Sequence, residues 1–506
     1  MELNLKRAEH EYYEPVAFAP FSCETMRESI VPDSCADIAR IIDTRGIVCL
    51  TGRDLAGDGR ISATGTVEVS VIYIPEQGTG PRSLRFQLPF QCYSEGVGDG
   101  DWAYLDVRAE LRSIDTRALN PRKVLTRADV VLYPTACRHV KLDLCVGAED
   151  DGKIQILPDK RKLQVVEAVR EREFTFSEEM TLAPGREAME ELLAARVDLG
   201  STDSKLIGNK LVVKGLLDVS VLYRDTAGHV GLLRQEMPYS QILDGTGLEE
   251  SMEERAVCRI GGFSCFLGSD MGDEPGRAVT LEVQLLARST AWSQKEIELV
   301  TDLYSIDGPV VCENSTLEMN EDIQQDLRRG SARETLETGT AVKSVIDTQV
   351  DCLGASATGD SLEVSVRARC LYLDENNALG STGRTFTVSC PADLSQDSRI
   401  LDTQVGHGDV MVNIVPEGVE LRFSVDCTLT AARRTKVPCI SGVQAGEEET
   451  TSSPTPSVIL RKLRDGETLW SVAKQYRTTK KAILDVNELQ EDALPTDRLL
   501  LIPKAR

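Results

Sequence analysis

The stretch Gly65-Thr-Val-Glu-Val-Ser-Val-Ile-Tyr73 returns as Gly215-Leu-Leu-Asp-Val-Ser-Val-Leu-Tyr223 and, more weakly, as Val366-Arg-Ala-Arg-Cys-Leu-Tyr372. The three tyrosines stand 150 and then 149 residues apart. A period this regular fixes the unit of folding: the chain is a tandem of similar modules. Each copy is followed by a polar turn: Pro75-Glu-Gln-Gly, Arg224-Asp-Thr-Ala-Gly or Asp374-Glu-Asn-Asn. A second apolar run with proline comes next: Leu88-Pro89-Phe90, Met237-Pro238-Tyr239 and Cys390-Pro391. Each unit is therefore expected to hold a β-hairpin at the same place.

A later strand recurs as well. Leu105, Val107, Ala109 and Leu111 alternate with polar residues, as do Val279 to Leu285 and Val419 to Cys427. Strict period-two alternation puts one face on a core and one in water, the signature of an antiparallel sandwich or rolled sheet. A short helix is expected to open the first two units, over Ser34–Ile42 after Pro32 and over Arg186–Arg196 after Pro184-Gly185. The third unit shows no counterpart around 333–345.

The C-terminal stretch has another character. In Val458–Pro503 two short strand-like runs bracket two short helix-like runs. Leu469, Val472, Ala473 and Tyr476 fall at i, i+3, i+4 and i+7, one buried face. Thr468 and Thr479 are placed to cap the two helices, and Asn487 suits the turn that ends the second, since Asn tolerates a left-handed backbone. Before it, Ala445–Ser457 (Ala-Gly-Glu-Glu-Glu-Thr-Thr-Ser-Ser-Pro-Thr-Pro-Ser) has no residue to anchor it and reads as a flexible linker with a reach on the order of 20 Å.

Composition limits the function. The net charge of −24 argues against nucleic acid as a partner of the body. Residues 458–506 hold ten Lys or Arg against seven Asp or Glu, a balance of +3 that leaves −27 for the remainder. The N-terminus has no apolar core of signal-peptide length, and no run of about 18 apolar residues could span a membrane. Fourteen scattered Cys, none in a Cys-x-x-Cys pair, and four His suggest buried free thiols in a reducing compartment rather than zinc or disulfide frameworks. No phosphate-cradling motif, metal set or catalytic triad can be assembled locally, so no cofactor, no metal and no enzymatic activity are expected. Gly96–Gly100 reads as a hairpin loop, and Arg122-Lys123 as either a contact patch or a solvated strand edge.

The motifs Asp465-Gly-Glu-Thr-Leu469, Val472-Ala473, Tyr476, Asn487 and Leu500-Leu-Ile-Pro503 make the C-terminal stretch resemble the LysM domain. Glu467, Asp497 and Arg461 depart from the family's usual Asp, Gly and leading aromatic. The resemblance implies a groove that binds N-acetylglucosamine-containing glycans such as peptidoglycan. Its expected lining is Gly466, Glu467, Thr468, Leu469 and Trp470 on one side and Asn487, Leu489 and Leu494 on the other. The upstream repeats resemble the SPOCS module of spore coat assembly. The resemblance rests on the entry of proline followed by a helix, the Tyr-ended strand, the Pro-Phe/Tyr segment and Arg117-Ala-Leu-Asn-Pro-Arg-Lys123, whose counterparts are expected at Arg288–Lys295 and Ala432–Lys436.

The expected fold is mainly β: three tandem antiparallel β-sandwich-like repeats over 20–145, 160–315 and 325–443, a linker over 444–457, and a small βααβ LysM domain over 458–505. The paired resemblance implies a non-enzymatic scaffold in spore coat assembly, in the mother-cell cytoplasm at the forespore surface. Its LysM groove would dock on a coat morphogenetic ATPase or another coat protein. The alternative is a LysM protein that binds peptidoglycan glycans.

Overall fold

The computed structural model describes residues 4–149, 153–268, 276–392, 398–446, 458–464, 467–490 and 499–503. It is mainly β, with antiparallel pairing throughout and two short helices near the C-terminus. The first unit comprises β1 (Leu5–Ala17), β2 (Phe21–Ile30), β3 (Ile38–Leu55), β4 (Ile61–Pro75), β5 (Arg82–Tyr93), β6 (Trp102–Asn120) and β7 (Lys123–Ala148). The second comprises β8 (Ile154–Thr181), β9 (Met189–Ile207), β10 (Lys210–Asp225), β11 (Val230–Asp244), β12 (Glu253–Leu267) and β13 (Ala278–Ser305). The third comprises β14 (Val310–Glu337), β15 (Val342–Thr358), β16 (Ser361–Asp374), β17 (Leu379–Pro391), β18 (Ser398–His407), β19 (Met411–Val415) and β20 (Gly418–Ala445).

The pairing repeats with the sequence. A three-stranded meander, β3-β4-β5, β9-β10-β11 or β15-β16-β17, is the inner layer of each unit. The outer layer joins the unit's long first and last strands: β1 and β2 on β7, β8 on β13, β14 on β20. Beside the last strand lies the one that precedes it, β6 or β12, or in the third unit the pair β18 and β19. One core fills the space between the layers. In the first unit Val67, Val69, Val71, Leu88 and Val107 meet Val124, Ala128 and Val130.

The recurrent tyrosines end the central strands, and all three are buried. The Tyr73 hydroxyl donates to the Ala36 carbonyl and Tyr372 to the Thr338 carbonyl, pinning the turn that leads into the meander. The glycine eight residues earlier has an equally local reason. Gly65 pairs with Phe90 and Gly215 with Tyr239, and a Cβ would stand 2.6 Å from the Phe90 ring or 2.3 Å from the Tyr239 hydroxyl. Each aromatic lies across the bare backbone. In the third unit the equivalent pair is Val364 with Val388, and both recurrent residues are gone together.

Several expectations are corrected. Ser34–Ile42 and Arg186–Arg196 form no helix. Each is a tight turn, with Cys35 N–H donating to Pro32 or Arg186 N–H to Ala183, followed by a strand, β3 or β9. The third unit has the same strand, β15. These strands carry bulges, which break the period-two pattern and leave a spacing that mimics a helix. The pairing of β9 skips Glu190 and Leu193, that of β3 skips Ala39 and Ile42, and that of β15 skips Lys343 and Ile346. The Leu105–Leu111 alternation belongs to the strand beside the last, β6, whereas Val279–Leu285 and Val419–Cys427 belong to the last strands, β13 and β20. The true counterpart in the first unit is Val124 to Leu132 in β7. Correspondingly, the turn at Asn120–Lys123 is matched by the segments before β13 and β20. Val31 N–H donates to Arg122, Leu182 to Arg277 and Thr338 to Glu417. Arg288–Lys295 and Ala432–Lys436 lie inside strands instead. Gly96–Gly100 does not close a hairpin but carries the chain from β5 in the inner layer to β6 in the outer one. Arg122 is engaged within the chain, bonding Asp33, Asp37 and the Cys35 carbonyl.

The cysteines depart from the free-thiol expectation at one place: Cys23 of β2 and Cys92 of β5 are joined across the first sandwich, and the other twelve are free. Burial pushes the Cys370 thiol up to about 12 and the Cys427 thiol to about 11, so these behave as core residues. A bond spanning 69 residues removes unfolded-chain entropy. Reduction should lower the stability of the oxidised protein by on the order of 4 kcal/mol. Urea unfolding with and without dithiothreitol measures this, with Cys23→Ser as the insensitive control.

The three units interlock. Tyr12, Leu144, Leu163, Leu299, Met319 and Val437 form one shared core. Elsewhere Ile72, Leu193, Leu222 and Leu371 meet with the partly buried bulge residues Ile42 and Ile346. Arginines bridge every pair of units: Arg259 to Asp106 at 2.8 Å, Arg196 to Asp351 at 3.0 Å and Arg45 to Asp347 at 2.7 Å. No described helix is long and apolar enough to cross a membrane.

Candidate functional site

The C-terminal unit pairs β21 (Val458–Lys462) with β22 (Leu499–Pro503) and places α1 (Leu469–Gln475) and α2 (Lys480–Asn487) between them in sequence. Thr468 caps α1 in a reciprocal capping box with Ser471, and Thr479 caps α2 through Ala482 N–H. Leu469, Val472, Ala473, Ile483, Leu500 and Ile502 are the core.

Of the eight expected groove residues, Gly466 and Leu494 lie outside the described residues, as does Asp497. Glu467 is tied down within its loop. It accepts from Arg464 N–H at 2.9 Å and is ion-paired with Arg461. The Arg464 N–H, followed by Arg461, holds its carboxyl below the ordinary range. Arg461, standing where the family has an aromatic, lies 5.6 Å from the Tyr476 ring centroid and bonds Gln475. Thr468 is the cap, Leu469 is buried, and Leu489 packs on the same small core.

Asn487 has a different role from the one its turn propensity suggests. The left-handed residue after α2 is Glu488 (φ 53°). Asn487 is buried, and its amide donates to the Ile483 and Leu501 carbonyls while accepting from Leu501 N–H, each within 2.8 Å. It clips β22 to α2. Asn487→Ala strands buried partners on the strand and should cost the C-terminal unit about 2–3 kcal/mol. Hydrogen exchange should report this in residues 458–503 while the β body keeps its protection.

Trp470 is the groove candidate whose position the sequence does not foresee. Its indole N–H donates to Asp302 at 2.8 Å, and its ring meets Tyr304 edge-on at 4.9 Å between centroids. Lys474 reaches the same carboxylate at 2.6 Å, and the Tyr304 hydroxyl donates to the Thr478 carbonyl at 2.7 Å. Tyr304 is buried, with its hydroxyl pushed up to about 12 by burial and then by Asp302. The sequence leaves only the alternation Asp302, Tyr304, Ile306 as a trace of this face, with nothing to say what it meets.

Elsewhere, a cavity of about 1130 Å³ opens where the three units meet. Its walls carry eight arginines and eight Asp or Glu, among them Arg196 and Arg367 paired with Asp351 and Arg259 with Asp106, so cations and carboxylates balance in number. Among the described residues no group of His, Cys, Asp and Glu is arranged to hold a metal ion.

Residues 188–267 match the family model of the SipL SPOCS domain, and residues 462–503 match that of the LysM domain. The first match runs from the start of β9 to the end of β12. No curated protein and no solved structure matches the chain. The chain thus carries a SipL SPOCS domain within its second β unit and, C-terminal to the β units, a LysM domain, the pairing of a sporulation-related LysM protein.

Proposed function

We propose that this protein is a non-enzymatic scaffold of spore coat assembly. Its three β units form one body, and its LysM domain docks on a coat morphogenetic ATPase or on the forespore surface, on the mother-cell side. The carrying observation is the pairing of a SPOCS match with a LysM match in one chain. Both are non-catalytic domain families. The boundaries we assign to the repeated units follow the strand pattern, with each unit opening on its long first strand. The interlocking arginines favour a body that moves as one piece and presents the LysM domain at its end.

Affinity capture from sporulating cells tests this, with the full chain and with a chain lacking 458–506. The full chain should recover coat proteins that the shortened chain loses. Recovery of the same set by both would remove the LysM domain as the docking element. The glycan reading, favoured by the LysM match alone, is tested by titration calorimetry of the full chain with N-acetylglucosamine oligomers. Sugar binding without protein capture would replace our reading with it.

A further inference from the structure

The contact between the LysM domain and the body is a built interface. β13 carries a bulge between Val300 and Asp302, which re-aims the strand's last residues. Beyond it Asp302 and Tyr304 share one face, by the two-residue period of a strand, while Leu303 is buried on the other, and Ile306 follows just past the strand's end. That face meets α1 and the turn after it. Both Asp302 oxygens are used, Oδ1 by Lys474 and Oδ2 by the Trp470 indole. The Tyr304 ring and the partly buried Ile306 complete the small LysM core. An ammonium and an indole N–H converging on one carboxylate, beside an apolar slot for an aromatic ring, is a recognition surface for a particular side-chain order.

We propose that the α1 face of the LysM domain is a receptor for an extended segment with an acidic residue two places before an aromatic one. The chain's own Asp302-Leu303-Tyr304 fills it. The internal copy keeps the face closed, so an outside segment of the same chemistry enters by displacing it. This rests on the reading that the LysM domain is the docking element, and it names both the surface and the kind of partner. The chain favours the closed arrangement. Gly446, at the end of β20, bonds Pro309, three residues beyond Ile306, and only residues 447–457 separate it from Val458. A tether that short holds the internal copy at an effective concentration on the order of millimolar.

The test uses the full chain and a labelled peptide of residues 299–308, followed by fluorescence anisotropy. Wild-type protein should not bind it at about 100 µM, because the tethered copy outcompetes it. The Asp302→Ala chain, whose internal copy has lost its charged contacts, should bind it saturably and at least about tenfold more tightly. A peptide carrying the same Asp302→Ala change should not bind. Acrylamide quenching of Trp470, read as the difference from Trp470→Phe, should rise in Asp302→Ala. Lys474→Ala, a change at an exposed side chain that leaves the fold alone, should also raise quenching yet bind the peptide poorly. Equal peptide binding by wild type and Asp302→Ala would overturn the proposal. So would absent binding when Trp470 has become quenchable, or a Trp470 that stays shielded in Asp302→Ala. A failed capture of coat proteins would sink the docking role but leave these peptide results standing.

Discussion

Arg45→Ala should destabilise the protein by about 3–5 kcal/mol, the cost of leaving a buried charge without its partner. Arg45 donates to Asp43 at 2.8 Å and to Asp347 of the third unit at 2.7 Å, and all three side chains are at most 7% exposed. Burial alone would pull the Arg45 guanidinium down, yet the two carboxylates hold it above its ordinary value. Truncation removes the cation from between the two carboxylates, leaving Asp347 without this ion pair and Asp43 with Arg369 at 3.8 Å. Urea midpoints at pH 7 measure the loss. Replacing the cross-unit pair together, as Arg45→Met with Asp347→Leu, should recover part of it, because two matched apolar groups need no counter-charge. Acid has a related effect. Against the opposing effect of burial, arginines hold Asp43, Asp106 and Asp351 below the ordinary carboxylate range. Their contribution is therefore complete above about pH 4, the unfolded-chain value, and is lost as pH falls through the folded values. A stability profile flat from pH 4 down to pH 2 would contradict this.

Leu193→Ala should cost about 3–5 kcal/mol, the range for a large side chain removed from a packed site. Its effect should also spread. Leu193 is fully buried, but the bulge turns it away from its own sandwich to meet Ile72 of the first unit and Leu371 of the third. Hydrogen exchange should show all three meanders losing protection together. Leu217→Ala is the contrast: this residue is equally buried but lies inside the second sandwich, so its loss should fall first on β9 to β11. If the two variants gave the same exchange pattern, the shared junction would have no energetic meaning.

What the sequence made legible follows from distance along the chain. The central strands, their hairpins and the tyrosines were readable, because strand, turn and strand are neighbours and the period is plain. So were the two caps of the LysM helices, each a contact over three residues. The helices expected over Ser34–Ile42 and Arg186–Arg196 were misread for a physical reason. A bulge inserts a residue into a strand, and apolar residues on both sides of it fall at helical spacing. Ala, Glu and Leu in the second stretch added helix propensity, which pairing with β10 overrides. Pairs such as Arg45 with Asp347, or Trp470 with Asp302, lie 302 and 168 residues apart and leave no local trace. Five of the eight expected groove residues, Gly466, Glu467, Thr468, Leu469 and Asn487, belong to the motifs that carry the resemblance. The structure assigns two of them, Asn487 and Glu467, internal bonds that the motifs do not reveal.

The bulges at Ile42, Leu193 and Ile346 also bear on how many copies such a chain can hold. In a linear array each repeat needs only a neighbour on either side, and the series lengthens by duplication at an end. Here every unit sends aliphatic side chains to a single common point and an arginine to a carboxylate of another, Arg45 to Asp347, Arg196 to Asp351 and Arg369 to Asp43. The arrangement closes on itself. A fourth copy would find no vacancy at that point, and loss of one would open an apolar hole that the remaining two could not cover. Gene duplication would therefore stall at three, and divergence between copies would proceed in step, each change at the junction answered by two others.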